Sequence, residues 1–105
     1  MNNNVFIHKP PYFIFEDYLS FSNMSIYFKY LNILMERFDL YQMDNPSHSG
    51  LKVYFPHGFF EIILIQNEDN IRFKLILNSK NKKKADEMKG EVLNVYNYVR
   101  NLFES

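Results

Sequence analysis

The sequence predicts an α+β domain of order α-β-β-β-α, a three-stranded antiparallel meander with two helices packed on one face. Three observations carry this. Apolar residues between Phe21 and Tyr41 recur at spacings of 3 and 4. From Leu51 to Leu77 the pattern changes to alternation broken by turn residues, and from Ala85 to Phe103 the helical spacing returns. Those two periods are the signatures of amphipathic helices and half-buried strands. At 105 residues the chain has room for one domain, and 47% apolar content argues against disorder throughout.

Residues 1–14 read as an N-terminal extension, because Pro10-Pro11 blocks a helix and favours an extended path. The domain proper is expected over 15–105, with helical character starting near Phe15. Phe21, Met24, Phe28, Leu31, Met35 and Phe38 form the apolar stripe, widened by Tyr27, Leu34 and Tyr41. Ser22 or Asn23 is the expected N-cap; an alternative is a short turn at Phe15–Leu19, a break, then the main helix.

Asp44-Asn45-Pro46-Ser47-His48-Ser49-Gly50 has the composition of a loop. Leu51–Phe55 alternates as a strand, and Pro56-His57-Gly58 reads as a tight hairpin with Gly58 supplying a positive φ. Phe59–Gln66 is a nearly continuous apolar run, as in a central strand. Ile71–Leu77 alternates again after the turn at Asn67–Asn70. The last helix is expected to be capped by Asn78 or Ser79. Ala85, Met88, Val92, Val95, Tyr96, Val99, Leu102 and Phe103 line one side, and Lys83 and Glu87 stand at pairing distance.

With no cysteine, disulfides, thiolate metal sites and cysteine nucleophiles are excluded. His8, His48 and His57 lack metal-ligand spacing, so no metal or cofactor is expected. Glu16-Asp17 reads as a helix start. Glu61 is placed on the open sheet face beside Lys52 or Lys74, and no catalytic set emerges, so catalysis is not expected. No apolar run approaches the roughly 18 residues of a membrane span. The opening Met1–Asn4 has no basic region, so the expected location is cytoplasmic.

Formal net charge is zero, yet the cations are uneven. Lys80, Lys82, Lys83 and Lys84 gather where the last helix begins, a place where backbone N–H groups favour an anion. Alternation puts Lys52, Tyr54, Arg72 and Lys74 on the sheet face turned from the core, with Phe59, Ile63 and Ile65 near them. Cations interleaved with rings suit RNA backbone and unstacked bases. The competing expectation is a small protein-interaction module or inhibitor that binds no nucleic acid, suggested by the neutral charge and by Ile63 and Ile65.

The segment Leu40-Tyr41-Gln42-Met43-Asp44-Asn45-Pro46, followed by Leu51-Lys52-Val53-Tyr54-Phe55, resembles the nine-kilodalton subunit of the signal recognition particle. Tyr12 with Phe15-Glu16-Asp17-Tyr18 resembles the opening of that family, and Lys82-Lys83-Lys84-Ala85-Asp86-Glu87-Met88 its final helix start. Lys82-Lys83-Lys84-Ala85 is also similar to the corresponding helix start of double-stranded-RNA-binding domains. The sequence departs from the family in a longer stretch between Tyr18 and Leu40, and in Ile63 where a lysine is typical. The resemblance implies a ribonucleoprotein subunit that binds the Alu domain of the particle's RNA. It further implies a heterodimer with the fourteen-kilodalton subunit and a role in elongation arrest during protein targeting. By position it makes Lys52, Arg72, Lys74, the Lys80, Lys82, Lys83 and Lys84 group, and His48 the expected RNA contacts.

Overall fold

A computed structural model describes residues 7–9, 12–45, 49–67 and 70–104. The chain runs β1 (Ile7–Lys9), β2 (Tyr12–Phe21), α1 (Met24–Arg37), β3 (Gln42–Asp44), β4 (Leu51–Phe55), β5 (Gly58–Asn67), β6 (Ile71–Ser79) and α2 (Lys82–Phe103). The α+β class with two helices holds, but the expected α-β-β-β-α order does not: four strands lie between the helices, because Gln42–Asp44, running into the expected loop, forms the short β3 against β4, and the sheet is not three-stranded. Five strands pair antiparallel in the order β2-β6-β5-β4-β3, and the three-residue β1 extends the sheet beyond β2.

The added strand that matters is β2, which runs through the Phe15–Leu19 segment expected to be helical and takes in Tyr12–Ile14. Phe13, Phe15, Leu19 and Phe21 fall on one side of it, and Phe15 and Phe21 are buried. It pairs with β6 from Phe13 opposite Ser79 to Phe21 opposite Ile71. Nine residue pairs with a central strand stabilise this segment far more than one isolated helical turn, whose nucleation is unfavourable. Glu16 and Asp17 are therefore strand residues, not a helix start.

Helix α1 begins where Asn23, in extended conformation, accepts from the Ile26 N–H through its side chain. That satisfies one of the unpaired donors of the first turn. Its buried residues are Ile26, Tyr27, Tyr30, Leu31 and Leu34. Phe28, expected in the stripe, is exposed; Tyr30, at the i+3 position from Tyr27, takes the core place instead.

The β4–β5 hairpin turns on two residues. Phe55 pairs with Gly58, and the left-handed residue is His57, at φ 70°, rather than Gly58. Pro56 followed by a positive φ is the pattern of a type II turn. Gly58 is required for a different reason: a Cβ there would lie 2.1 Å from the Asn78 carbonyl oxygen and 2.8 Å from the Ser79 Cα.

Ser79, fully buried, donates to the Asn81 carbonyl and accepts from the Asn81 N–H, which steers the chain out of β6. Asn81, not Asn78 or Ser79, then caps α2 by accepting from the Lys84 N–H at 3.0 Å. Ala85, Met88, Val92, Val95, Tyr96 and Val99 are buried, while Leu102 and Phe103 are exposed. Among the described residues nothing beyond the local backbone of α2 comes within 4 Å of a Cβ placed at Gly90, so that glycine serves no close approach between elements there.

Both helices pack on the same side of the sheet, α1 against β2 and α2 against β2 and β6. Phe73 of β6 is the hub of the core, with ring centroids of Tyr27, Tyr30, Phe21 and Tyr96 at 5.1, 5.5, 5.6 and 6.0 Å. Burial of a ring of this size contributes about 1.5–3 kcal/mol, and offset or edge contacts add to it. The Tyr27 hydroxyl donates to the Ser49 carbonyl, and that of Tyr30 reaches the Val92 carbonyl at 3.5 Å. Burial pushes both phenols well above their ordinary ionisation range, Tyr30 with additional effects from Tyr96 and Tyr27.

Candidate nucleic-acid interface

The side of the sheet turned from the helices collects residues from β2 to β6, because alternate positions on each strand point there. In register, Asp44, Lys52, Glu61, Ile76 and Glu16 lie in one row across the sheet. Tyr54, Phe59, Asn78 and Ile14 lie in the next. Ile63, Lys74 and Tyr18 form another row on the other side of the first, and Arg72 lies opposite Ser20 beyond that.

Each expected strand cation meets a ring on this face. The Lys52 ammonium lies 4.3 Å from the Phe59 centroid and 5.1 Å from that of Tyr54. Arg72 and Lys74 both lie over Tyr18, at 5.1 and 5.7 Å. Exposed cation–ring contacts are worth roughly 0.5–1 kcal/mol, enough to hold long side chains along the surface without burying their charge. Tyr18 itself is 50% exposed, so part of its ring remains open.

The face also carries acids. Lys74 is 3.5 Å from the Glu16 carboxylate, both partly exposed, so this pair contributes little to stability. Glu61 lies on the open face opposite Lys52 in register, as its sequence position suggested, whereas Lys74 takes its ion pair from β2. Tyr54 donates to the Asp44 carboxylate at 2.9 Å. Lys52, Arg72 and Lys74 thus share the surface with Asp44, Glu16 and Glu61.

The four-lysine group does not act as one patch. Lys80 lies over Tyr12 at 5.7 Å and lines a cleft with His57, Gly58, Phe59 and Asn78, at the edge of the open face. Lys82 pairs with Asp86 at 3.0 Å and Lys84 with Glu87 at 3.8 Å, both along α2. The pairing expected between Lys83 and Glu87 is replaced by the latter, and Lys83 is exposed. Lys84 also lies 6.0 Å from the Tyr41 ring and lines a separate cleft with Tyr41, Glu87, Met88 and Glu91. His48 lies outside the described residues.

Sequence reasoning missed what β2 adds to this face: Tyr12, Ile14, Glu16 and Tyr18. The signal was the two-residue alternation of Phe13, Phe15, Leu19 and Phe21, interrupted at Asp17. Among the described residues no group of three or more His, Cys, Asp or Glu stands where it could hold a metal ion. No helix among them is long and apolar enough to cross a membrane. No family model matches the chain, and no curated protein matches it in sequence.

Proposed function

We propose that this protein is a non-catalytic RNA-binding subunit that works through the open face of its sheet. The observation that carries the reading is the arrangement at Tyr18, where Arg72 and Lys74 flank a half-exposed ring on a face that, among the described residues, neither helix covers. A ring offers a stacking surface to an unpaired base, and the cations beside it can neutralise the adjoining phosphates. Asp44, Glu16 and Glu61 temper the charge, so the fit is to a few nucleotides of exposed strand rather than to a duplex held by charge alone.

The resemblance to the nine-kilodalton subunit of the signal recognition particle adds a specific assignment: Alu-domain RNA as ligand, and the fourteen-kilodalton subunit as heterodimer partner in elongation arrest. The edges of the β4-β5-β6 meander are occupied in this chain by β3 and β2, so a partner sheet would meet β1 or β3. Titration of Alu-type RNA, with and without the fourteen-kilodalton partner, tests the proposal. Salt-sensitive binding is expected, and its absence in both arms overturns the reading.

A second reading, a protein-interaction module, is favoured by Tyr18 and Ile63, which are exposed on this same face, and by Ile65, exposed at the irregularity in β5. In that case replacing Lys52, Arg72 and Lys74 by Ala leaves partner binding within a few-fold. Loss of binding favours RNA.

A further inference from the structure

We infer that the cleft lined by Tyr12, His57, Gly58, Phe59, Asn78 and Lys80 is the seat of a single unpaired nucleotide, an inference that rests on the RNA-binding reading above. The cleft is about 450 Å³, within the roughly 300–1,000 Å³ range of small-ligand sites. Three elements meet there: the first residue of β2, the β4–β5 turn and the end of β6.

The walls have the chemistry a nucleotide needs. Tyr12, 37% exposed, and the half-buried Phe59 offer ring surface to a base. Asn78 stands on the open face, opposite Phe59 in register, and its half-buried side chain has no hydrogen-bond partner among the described residues. A carboxamide both donates and accepts, as a base edge does, and can therefore discriminate among bases. Lys80 and Lys52 lie over the two rings, on Tyr12 and Phe59 respectively, and can swing from ring to phosphate.

The rim is held in place before any ligand arrives. The Lys80 N–H donates to the His57 carbonyl at 2.9 Å, tying the β4–β5 turn to the end of β6. Gly58 fits directly against the Asn78 and Ser79 backbone, and Ser79 is locked to Asn81. Rigid walls reduce the ordering cost of binding. The cleft thus differs from the Tyr18 region in having an amide that can read the base, while Tyr18 offers stacking and charge.

The test follows backbone and Asn side-chain NMR resonances of the whole chain on addition of each nucleoside monophosphate, with inorganic phosphate as a separate probe. A short labelled single-stranded RNA is titrated in parallel against wild type, Tyr12→Ala, Asn78→Ala and Lys80→Ala. Monophosphates should shift Gly58, Lys80 and the Asn78 amide, unequally among the four bases. Tyr12→Ala should weaken RNA binding about tenfold, the scale of one lost base stack. Asn78→Ala should level the preference among bases, and Lys80→Ala, an exposed position that leaves the fold untouched, should weaken all four alike. If RNA binds but the cleft resonances stay still and the variants bind as wild type, the nucleotide seat is wrong and the open-face reading survives. Equal shifts with phosphate alone reduce the cleft to an anion site and likewise overturn the inference. If no RNA binds, both readings fall.

Discussion

The Tyr96 hydroxyl closes a two-way hydrogen bond with the backbone of Ser20, donating to its carbonyl at 2.9 Å and accepting from its N–H at 3.3 Å. Ser20 stands opposite Arg72 in the β2–β6 register, and alternate residues of an antiparallel pair turn both backbone groups away from the neighbour. β1 covers only Tyr12–Ile14 of the other β2 edge. The tyrosine from α2 thus satisfies two groups that the sheet leaves open. Tyr96→Phe is expected to cost about 1–2 kcal/mol by urea denaturation, whereas Ser20→Ala, which keeps the backbone bonds, should stay within about 0.5 kcal/mol.

The hairpin gives opposite expectations at adjacent positions. Gly58→Ala forces a Cβ against the Asn78 carbonyl, a backbone atom that cannot move aside, so a loss of at least about 2 kcal/mol is expected. His57→Gly relieves a left-handed residue and should be neutral or stabilising by up to about 1 kcal/mol. Thermal unfolding of the two variants checks the contrast; a tolerated Gly58→Ala would contradict the packing described at this turn.

Alkaline pH should destabilise the fold through its buried phenols. The ordinary phenol value is 10.0, and burial raises Tyr27 and Tyr30 above it in the folded chain. Above that pH the unfolded state has lost protons that the folded state retains. Stability is therefore flat with respect to these groups below the unfolded value and falls as pH rises through it. Urea midpoints measured from neutral pH to beyond pH 10.0 should show this fall, and Tyr30→Phe should make it shallower.

Much of this architecture was legible in the residues. The strands from Leu51 onward and helix α2 stand out because their apolar periods are long and uninterrupted. β2 was hidden by a coincidence of spacing: Phe15, Tyr18 and Leu19 fit a helical turn as well as a strand edge, and Asp17 breaks the alternation on the core side. Only the long-range pairing with β6 decides between them. The same omission concealed the ring beneath Arg72 and Lys74, since Tyr18 belongs to that strand. The lysine group was visible, but its division between the cleft and the carboxylates of α2 depends on the turn at Ser79–Asn81, where helix and strand directions are set.

Salt dependence gives a separate reading of the cations. On single strands, each phosphate neutralised contributes about 0.7 to the log–log slope of affinity against salt. Removing Arg72 should therefore lower the slope by about 0.7, and removing Lys52, Arg72 and Lys74 together by about 2. Lys83→Ala, exposed on α2, should leave it unchanged. Anisotropy titrations at several salt concentrations supply these slopes.

The most direct test of the RNA-binding surface is amide chemical-shift mapping during titration with a short single-stranded RNA. Shifts should concentrate at Tyr18, Lys52, Ile63, Arg72 and Lys74 across the helix-free side of the sheet, with α1 and α2 quiet. Perturbations confined to the outer surfaces of the two helices, or none at saturating RNA, would contradict it.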